Sequence, residues 1–134
     1  MEIRISRRLL DEILAQAQTA GAQECCGLLF GSEGHVRAIG PAANVAPDPQ
    51  RHFEIDPMVL LAAQKAERAG GTRVIGYYHS HPNGVSGPSL QDAEMAASDG
   101  RIWIVVANGT ASAWRAGATG GLYGRFDPVT ISIG

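Results

Sequence analysis

Two histidines one residue apart, His79 and His81, close an apolar run made of Val74, Ile75, Gly76, Tyr77 and Tyr78. Successive side chains of a strand alternate between faces, so the two imidazoles point the same way and Ser80 points the other. Strand residues two apart are about 6.5 to 7 Å apart at Cα, and from that spacing two imidazoles can converge on one zinc ion at bonds of about 2.0 to 2.1 Å. Pro82 stops the strand, and residues 83–88, rich in Gly and Pro, read as a loop. Ser89, with Asp92 three residues later, has the pattern of a helix start. A carboxylate in a first helical turn points toward the end where the strand stops, so the loop can return Asp92 to the histidines. Two nitrogens and one carboxylate, with a fourth position left for water, are the donor set of a catalytic rather than a structural zinc site. The expectation is one Zn2+ per chain on His79, His81 and Asp92.

Catalysis at such a site needs a base that is not itself a ligand, able to take a proton from water and return it to the leaving group. Glu24 is the candidate. It immediately precedes Cys25-Cys26-Gly27-Leu28-Leu29-Phe30-Gly31, which reads as a buried strand, so its carboxylate sits at the mouth of the core. A buried carboxylate without a partner is costly, and a metal site beside it supplies a reason for its position.

Glu24 with the run after it, then His79-Ser80-His81, seven further residues, Ser89 and Asp92 form a pattern that resembles the JAMM metalloproteases, also called the MPN+ or JAB domain. Asn44 after a strand, the segment Arg51-His52-Phe53-Glu54-Ile55-Asp56-Pro57, and Tyr77-Tyr78 leading into the histidines look like the compact prokaryotic members. The resemblance runs from about residue 5 to about residue 115. It implies His79, His81 and Asp92 as zinc ligands, Glu24 as general acid/base, and Ser89 as the residue that steadies the water or the tetrahedral oxyanion. It further implies hydrolysis of an amide bond after the C-terminal Gly-Gly of a ubiquitin-like or sulfur-carrier protein, whose tail could add as a strand beside the site. The eukaryotic deubiquitinases of the family carry insertions around the second helix and after the zinc-binding helix, and both regions are short here. A non-catalytic MPN-type scaffold and a DNA-repair-associated relative are the competing readings. The presence of Glu24 speaks against the first, since a scaffold has no use for a base.

These residues must be held by surrounding elements. Ile3 to Ile5 reads as a strand, and Ser6 caps a helix with Leu9, Leu10, Ile13, Leu14 and Ala17 on one face, ended by Gly21. Residues 25–30 and 35–44 make a strand pair around Gly31 to Gly34, and 51–55 reads as a further strand. A second helix covers 56–69, opened by Asp56-Pro57 and ended by Gly70-Gly71. The site strand covers 72–81, a third helix 89–98, a buried strand 102–107, and two weaker strands 111–115 and 122–133. His52 reads as a solvated strand residue rather than a ligand. The fold class is α/β, a single MPN/JAB-like domain over 1–134, with a curved, mostly antiparallel sheet flanked by about three helices in a cytidine-deaminase-like architecture.

Composition limits the partners. The 134 residues are 45% hydrophobic and 18% charged with a formal net charge of -2, which gives no general attraction to nucleic acid or acidic lipid. The first residues lack the apolar stretch of a signal peptide, and no run of about 18 apolar residues could span a membrane. The expectation is a cytoplasmic protein with no nucleic-acid or membrane partner. Cys25 and Cys26 are adjacent and read as buried thiols on opposite faces of one strand, badly placed to bridge each other.

Overall fold

In the computed structural model, which describes residues 1–134, the elements run β1 (Glu2–Ile5), α1 (Arg7–Ala20), β2 (Cys26–Ser32), β3 (His35–Ala42), α2 (Pro57–Arg68), β4 (Arg73–Ser80), α3 (Leu90–Met95), β5 (Ile102–Ala107), β6 (Thr110–Ala116) and β7 (Phe126–Ile133). The strands close into a barrel in the order β1-β3-β2-β4-β5-β6-β7. Antiparallel ladders join β2 to β3 and β4, and β6 to β5 and β7. Parallel ladders join β4 to β5 and β1 to both β3 and β7. The α/β class and the three helices hold, but the expected curved, mostly antiparallel sheet is a seven-strand closed barrel with four antiparallel and three parallel ladders. Closure rests on β1, which runs beside β7 from Glu2↔Thr130 to Ile5↔Ile133 and meets β3 at Arg4↔His35. A four-residue strand carries no local mark of partners near the other end of the chain; closure removes the sheet's free edges.

Helix α1 forms where expected. The Ser6 hydroxyl accepts the Leu9 N–H at 3.1 Å, and Gly21 ends the helix at φ 61°. Its apolar stripe of Leu9, Leu10 and Ile13 packs with Ile3, Ile5, Leu29, Tyr78, Ile102, Ile104 and Val106 to form the main core. A smaller cluster of Trp103, Phe126, Ala93, Ala96 and Ala116 gathers Phe53, Tyr77 and Trp114 around it. Alternation along β5 divides the two, with Ile102, Ile104 and Val106 in one and Trp103 in the other. The same alternation along β4 sends Tyr78 into the main core and leaves His79 against Trp103 and Phe53.

Three expected elements are corrected. Residues 51–55 are not a strand; they form a loop whose one ladder contact is the bridge Ile55↔Asn44. The third helix is six residues, Leu90–Met95, because Ala96 is already extended at φ -73°, ψ 133°. The last strand begins at Phe126, since 123–125 form a turn with Tyr123 at φ 55° and Gly124 at φ 67°. His52 therefore lies in a loop and is partly buried. No helix is long and apolar enough to cross a membrane.

Register sets the distance between the site's parts. Cys26 pairs with His79 across β2 and β4, and His79 pairs with Val105 across β4 and β5. Glu24, just before β2, thus falls beside the end of β4 where the histidines lie. Gly76 allows β4 and β5 their close approach, because a Cβ there would overlap the Ile102 carbonyl oxygen. Gly76→Ala is expected to destabilise the fold by about 1 to 3 kcal/mol, the usual range for overpacking. Urea unfolding measures this, and an unchanged midpoint would mean that the two strands can part to take a methyl group.

Candidate metal centre

His79, at the end of β4, is fully buried, and His81, just past the strand, is 6% exposed. Ser80 between them turns to the opposite face, where its hydroxyl accepts the Cys25 N–H at 2.9 Å. Asp92 is the third residue of α3 and makes a reciprocal cap with Ser89. The Ser89 hydroxyl accepts the Asp92 N–H at 3.0 Å, and Asp92 Oδ2 accepts the Ser89 N–H at 2.9 Å. That Oδ2 lies 3.0 Å from His79 Nε2 and 3.1 Å from His81 Nε2, and the two nitrogens are 3.1 Å apart. Capping and convergence on the histidines thus use one carboxylate oxygen.

The triangle fits a tetrahedral metal. Bonds of about 2.0 to 2.1 Å at tetrahedral angles place neighbouring donor atoms about 3.3 to 3.4 Å apart, and the three edges here are 3.0, 3.1 and 3.1 Å. His81 Nδ1–H donates to the Val85 carbonyl at 2.9 Å, which leaves the lone pair on Nε2 facing the triangle. His79 Nδ1 is buried without a hydrogen-bond partner. Packing holds its ring instead: Phe53 stacks on it with centroids 4.2 Å apart and planes 19° from parallel, and Trp103 meets it edge-on at 5.7 Å. Three electron-pair donors enclosed at such separations repel one another unless a cation or protons lie among them.

Glu24 stands beside this triangle. Its carboxylate and the two imidazoles offer donor atoms all within 4.8 Å of one another. Glu24 is 5% exposed, and its Oε1 is buried without a hydrogen-bond partner. Burial pushes its carboxyl up to about 7, with attraction to His81 opposing and repulsion from Asp92 adding to the shift. A carboxyl held near neutrality exchanges its proton readily in either direction. Asp92 is held well below the usual carboxylate range: its burial acts upward, but the close His79 and His81 ring nitrogens and the Ser89 N–H outweigh it. Burial lowers His79, which keeps its imidazole neutral and fit to be a ligand. Burial also acts downward on His81, but the Asp92 and Val85 hydrogen bonds and the charges of Asp92 and Glu24 raise it overall.

All five residues singled out in the sequence, Glu24, His79, His81, Ser89 and Asp92, meet at one place. His52 does not join them. Phe53 was not identified from sequence as part of the site; an aromatic in the segment 51–57 was its only trace. Val85, which fixes the His81 tautomer through a carbonyl, left none, because any residue supplies one. Of the two thiols, Cys26 is buried and pushed up to about 12 by that burial, whereas Cys25 is only partly buried and is raised by the same cause. Both are held as thiols, which gives no support to a reactive thiolate at the metal.

Known proteins resemble this chain. The family model for prokaryotic homologs of the JAB domain matches residues 6–117. A desampylase of Haloferax volcanii is 34% identical over 101 residues, which cover 71% of this chain and 73% of that protein. A probable TtuB-protein conjugate cleaving protease of Thermus thermophilus is 37% identical over 92 residues, 69% of this chain and 62% of that protein. Among solved structures, the solution structure of a Desulfitobacterium hafniense protein superposes with a TM-score of 0.82 at 26% identity, covering 98% of this chain and 92% of that one.

Each vertex of the triangle is expected to be required for the metal. His79→Ala and Asp92→Ala, purified beside the wild type, are expected to fall from about one zinc per chain to near none by elemental analysis. Full zinc content in either variant would remove that residue from the ligand set.

Proposed function

The chain belongs to the prokaryotic JAB-domain branch of the JAMM (MPN+) metalloproteases, and on that premise we propose that it is a zinc-dependent isopeptidase with His79, His81 and Asp92 as ligands and Glu24 as general acid/base. The substrate we propose is the amide bond that follows the C-terminal Gly-Gly of a ubiquitin-like or sulfur-carrier protein. The named activities of the desampylase and of the TtuB-conjugate protease support that class. The whole of 1–134 is proposed to form one such domain. The observation that carries the reading is the buried Glu24 carboxylate, unpartnered at Oε1 and beside the three-donor triangle without being part of it.

A zinc ion held there supplies Lewis acidity, polarising a carbonyl and bringing the pKa of water down to about 7. The residues of the chain supply the rest. Glu24 accepts the proton of the attacking water and delivers it to the departing amine nitrogen, two transfers suited to a carboxyl poised near 7. The Ser89 hydroxyl accepts the Asp92 N–H, so its own proton is free to donate to the oxyanion as charge develops. Asp92 and His81 are held in place by the Ser89 N–H and the Val85 carbonyl, so the site is arranged before substrate arrives. Strand β4 is paired on one edge by β2 and on the other by β5, so a substrate tail cannot extend the sheet at β4 and must cross its end. Along the same face as His79, Phe53 and Trp103, which cover that ring, join Ile55, Leu60, Tyr77 and Met95 in lining an apolar groove of about 250 Å³, a seat for apolar residues upstream of the glycines.

Glu24→Gln keeps the shape and removes the base. It is expected to hold zinc at the wild-type level while cleavage of a Gly-Gly-terminated ubiquitin-like fusion falls by at least about 10²-fold. Wild-type cleavage by this variant would sink the base assignment; a zinc-loaded wild type that cuts no such fusion would sink the substrate class. Ser89→Ala is expected to keep zinc, to slow turnover by about 10² to 10³-fold, and to lose about 1 kcal/mol of stability with the cap. Parallel kinetics and thermal melts separate the two effects.

A further inference from the structure

Glu24 Oε1 is buried without a hydrogen-bond partner. The direction of the carboxylate depends on the backbone that carries it. The Glu24 N–H donates to the Pro49 carbonyl at 2.8 Å, and the Glu24 carbonyl accepts from Asn44 Nδ2 at 2.9 Å. Both contacts come from the loop between β3 and α2, and Asn44 organises that loop. Its Nδ2 also donates to the His52 carbonyl at 2.9 Å and, more weakly, to the Pro49 carbonyl at 3.4 Å. Its Oδ1 accepts the N–H groups of Ala46 at 3.0 Å and Glu54 at 3.1 Å. A side-chain amide offers two donors and one two-sided acceptor, and all of that capacity is in use here.

The bonds to His52 and Glu54 bracket Phe53, the ring that stacks on His79. One amide thus sets two things at once: the backbone from which the Glu24 carboxylate projects, and the apolar platform under a metal-binding imidazole whose own Nδ1 has no partner. Taking Glu24 as the acid/base, we infer that Asn44 is the positioning residue that places the carboxylate and the Phe53 platform against the triangle. It touches neither substrate nor metal. It acts through backbone geometry, where a displacement of about 1 Å can cost on the order of 10²-fold in rate.

Asn44→Ala and Asn44→Asp of the full chain test this beside Glu24→Gln, with kcat, KM, zinc content and amide hydrogen exchange measured on each. Asn44→Ala removes every bond. Asn44→Asp keeps acceptors for Ala46 and Glu54 but turns a carboxylate toward the carbonyls of Glu24 and His52. Both variants are expected to lose kcat by about 10²-fold, with KM within about twofold and zinc still near one per chain. Exchange protection at Ala46 and Glu54 is expected to fall in Asn44→Ala and to persist in Asn44→Asp, so the aspartate variant isolates the donated bonds. Should Asn44→Ala not fold, Asn44→Ser, which retains one hydroxyl donor, is expected to show an intermediate loss of kcat. Unchanged kcat in the folded variants beside an inactive Glu24→Gln would overturn the role of Asn44 alone, as would a loss confined to KM or to zinc content. Wild-type turnover by Glu24→Gln would overturn the acid/base reading itself, whatever the Asn44 variants do.

Discussion

One oxygen atom, Asp92 Oδ2, is the point on which the site depends. It accepts the Ser89 N–H at 2.9 Å and lies 3.0 and 3.1 Å from the two histidine Nε2 atoms. Taking a carboxylate out of water is expensive, and it is tolerated where the charge is matched by donors or a cation. The first turn of α3 supplies a backbone N–H and the end of β4 supplies the imidazoles. A six-residue helix has little stability of its own. It is held by its cap and by Ala93 and Ala96 packed against Trp103 and Phe126, so the helix and the donor set support each other.

The barrel matters to this site through its central strands. β4 is paired on both edges, which makes it a rigid mount for the two histidines, and pairing with β2 brings Glu24 to the same end. The main core lies on the α1 side, where Tyr78 is buried, and Ser80 also turns away from the histidines to bond Cys25. The alternation of a single strand thus divides structural work from chemistry. One face stabilises the barrel and the other presents the proposed ligands, with Phe53 and Trp103 covering His79.

The proposed ligands and the proposed base differ in how they are held. Asp92 and His81 have polar partners outside the triangle, and His79 has a stacked ring. Glu24 has none at Oε1, and its burial leaves its carboxyl near 7, a state that serves proton transfer better than permanent ligation. A group that must gain and lose a proton within one turnover is better left without a bond that favours one form. The cost is that its position is borrowed from the surrounding loop.

The pattern of residue types by itself determined the elements with strong local signals and singled out the five side chains that the fold brings together. Alternation in β4, the Ser89 and Asp92 cap, and the Glu24 that precedes β2 are local features, and each was legible because a strand period or a helix cap needs only neighbours in sequence. α1 was legible for the same reason, from Ser6, its apolar stripe and Gly21. Tertiary structure alone decided that β1 closes the sheet, that residues 51–55 are a loop held to Asn44 rather than a strand, and that α3 stops at Met95. It also decided that Phe53 lies on His79 and that the Val85 carbonyl orients His81. These depend on pairings between distant segments and on backbone carbonyls that every residue type carries, so no local pattern of side chains can encode them.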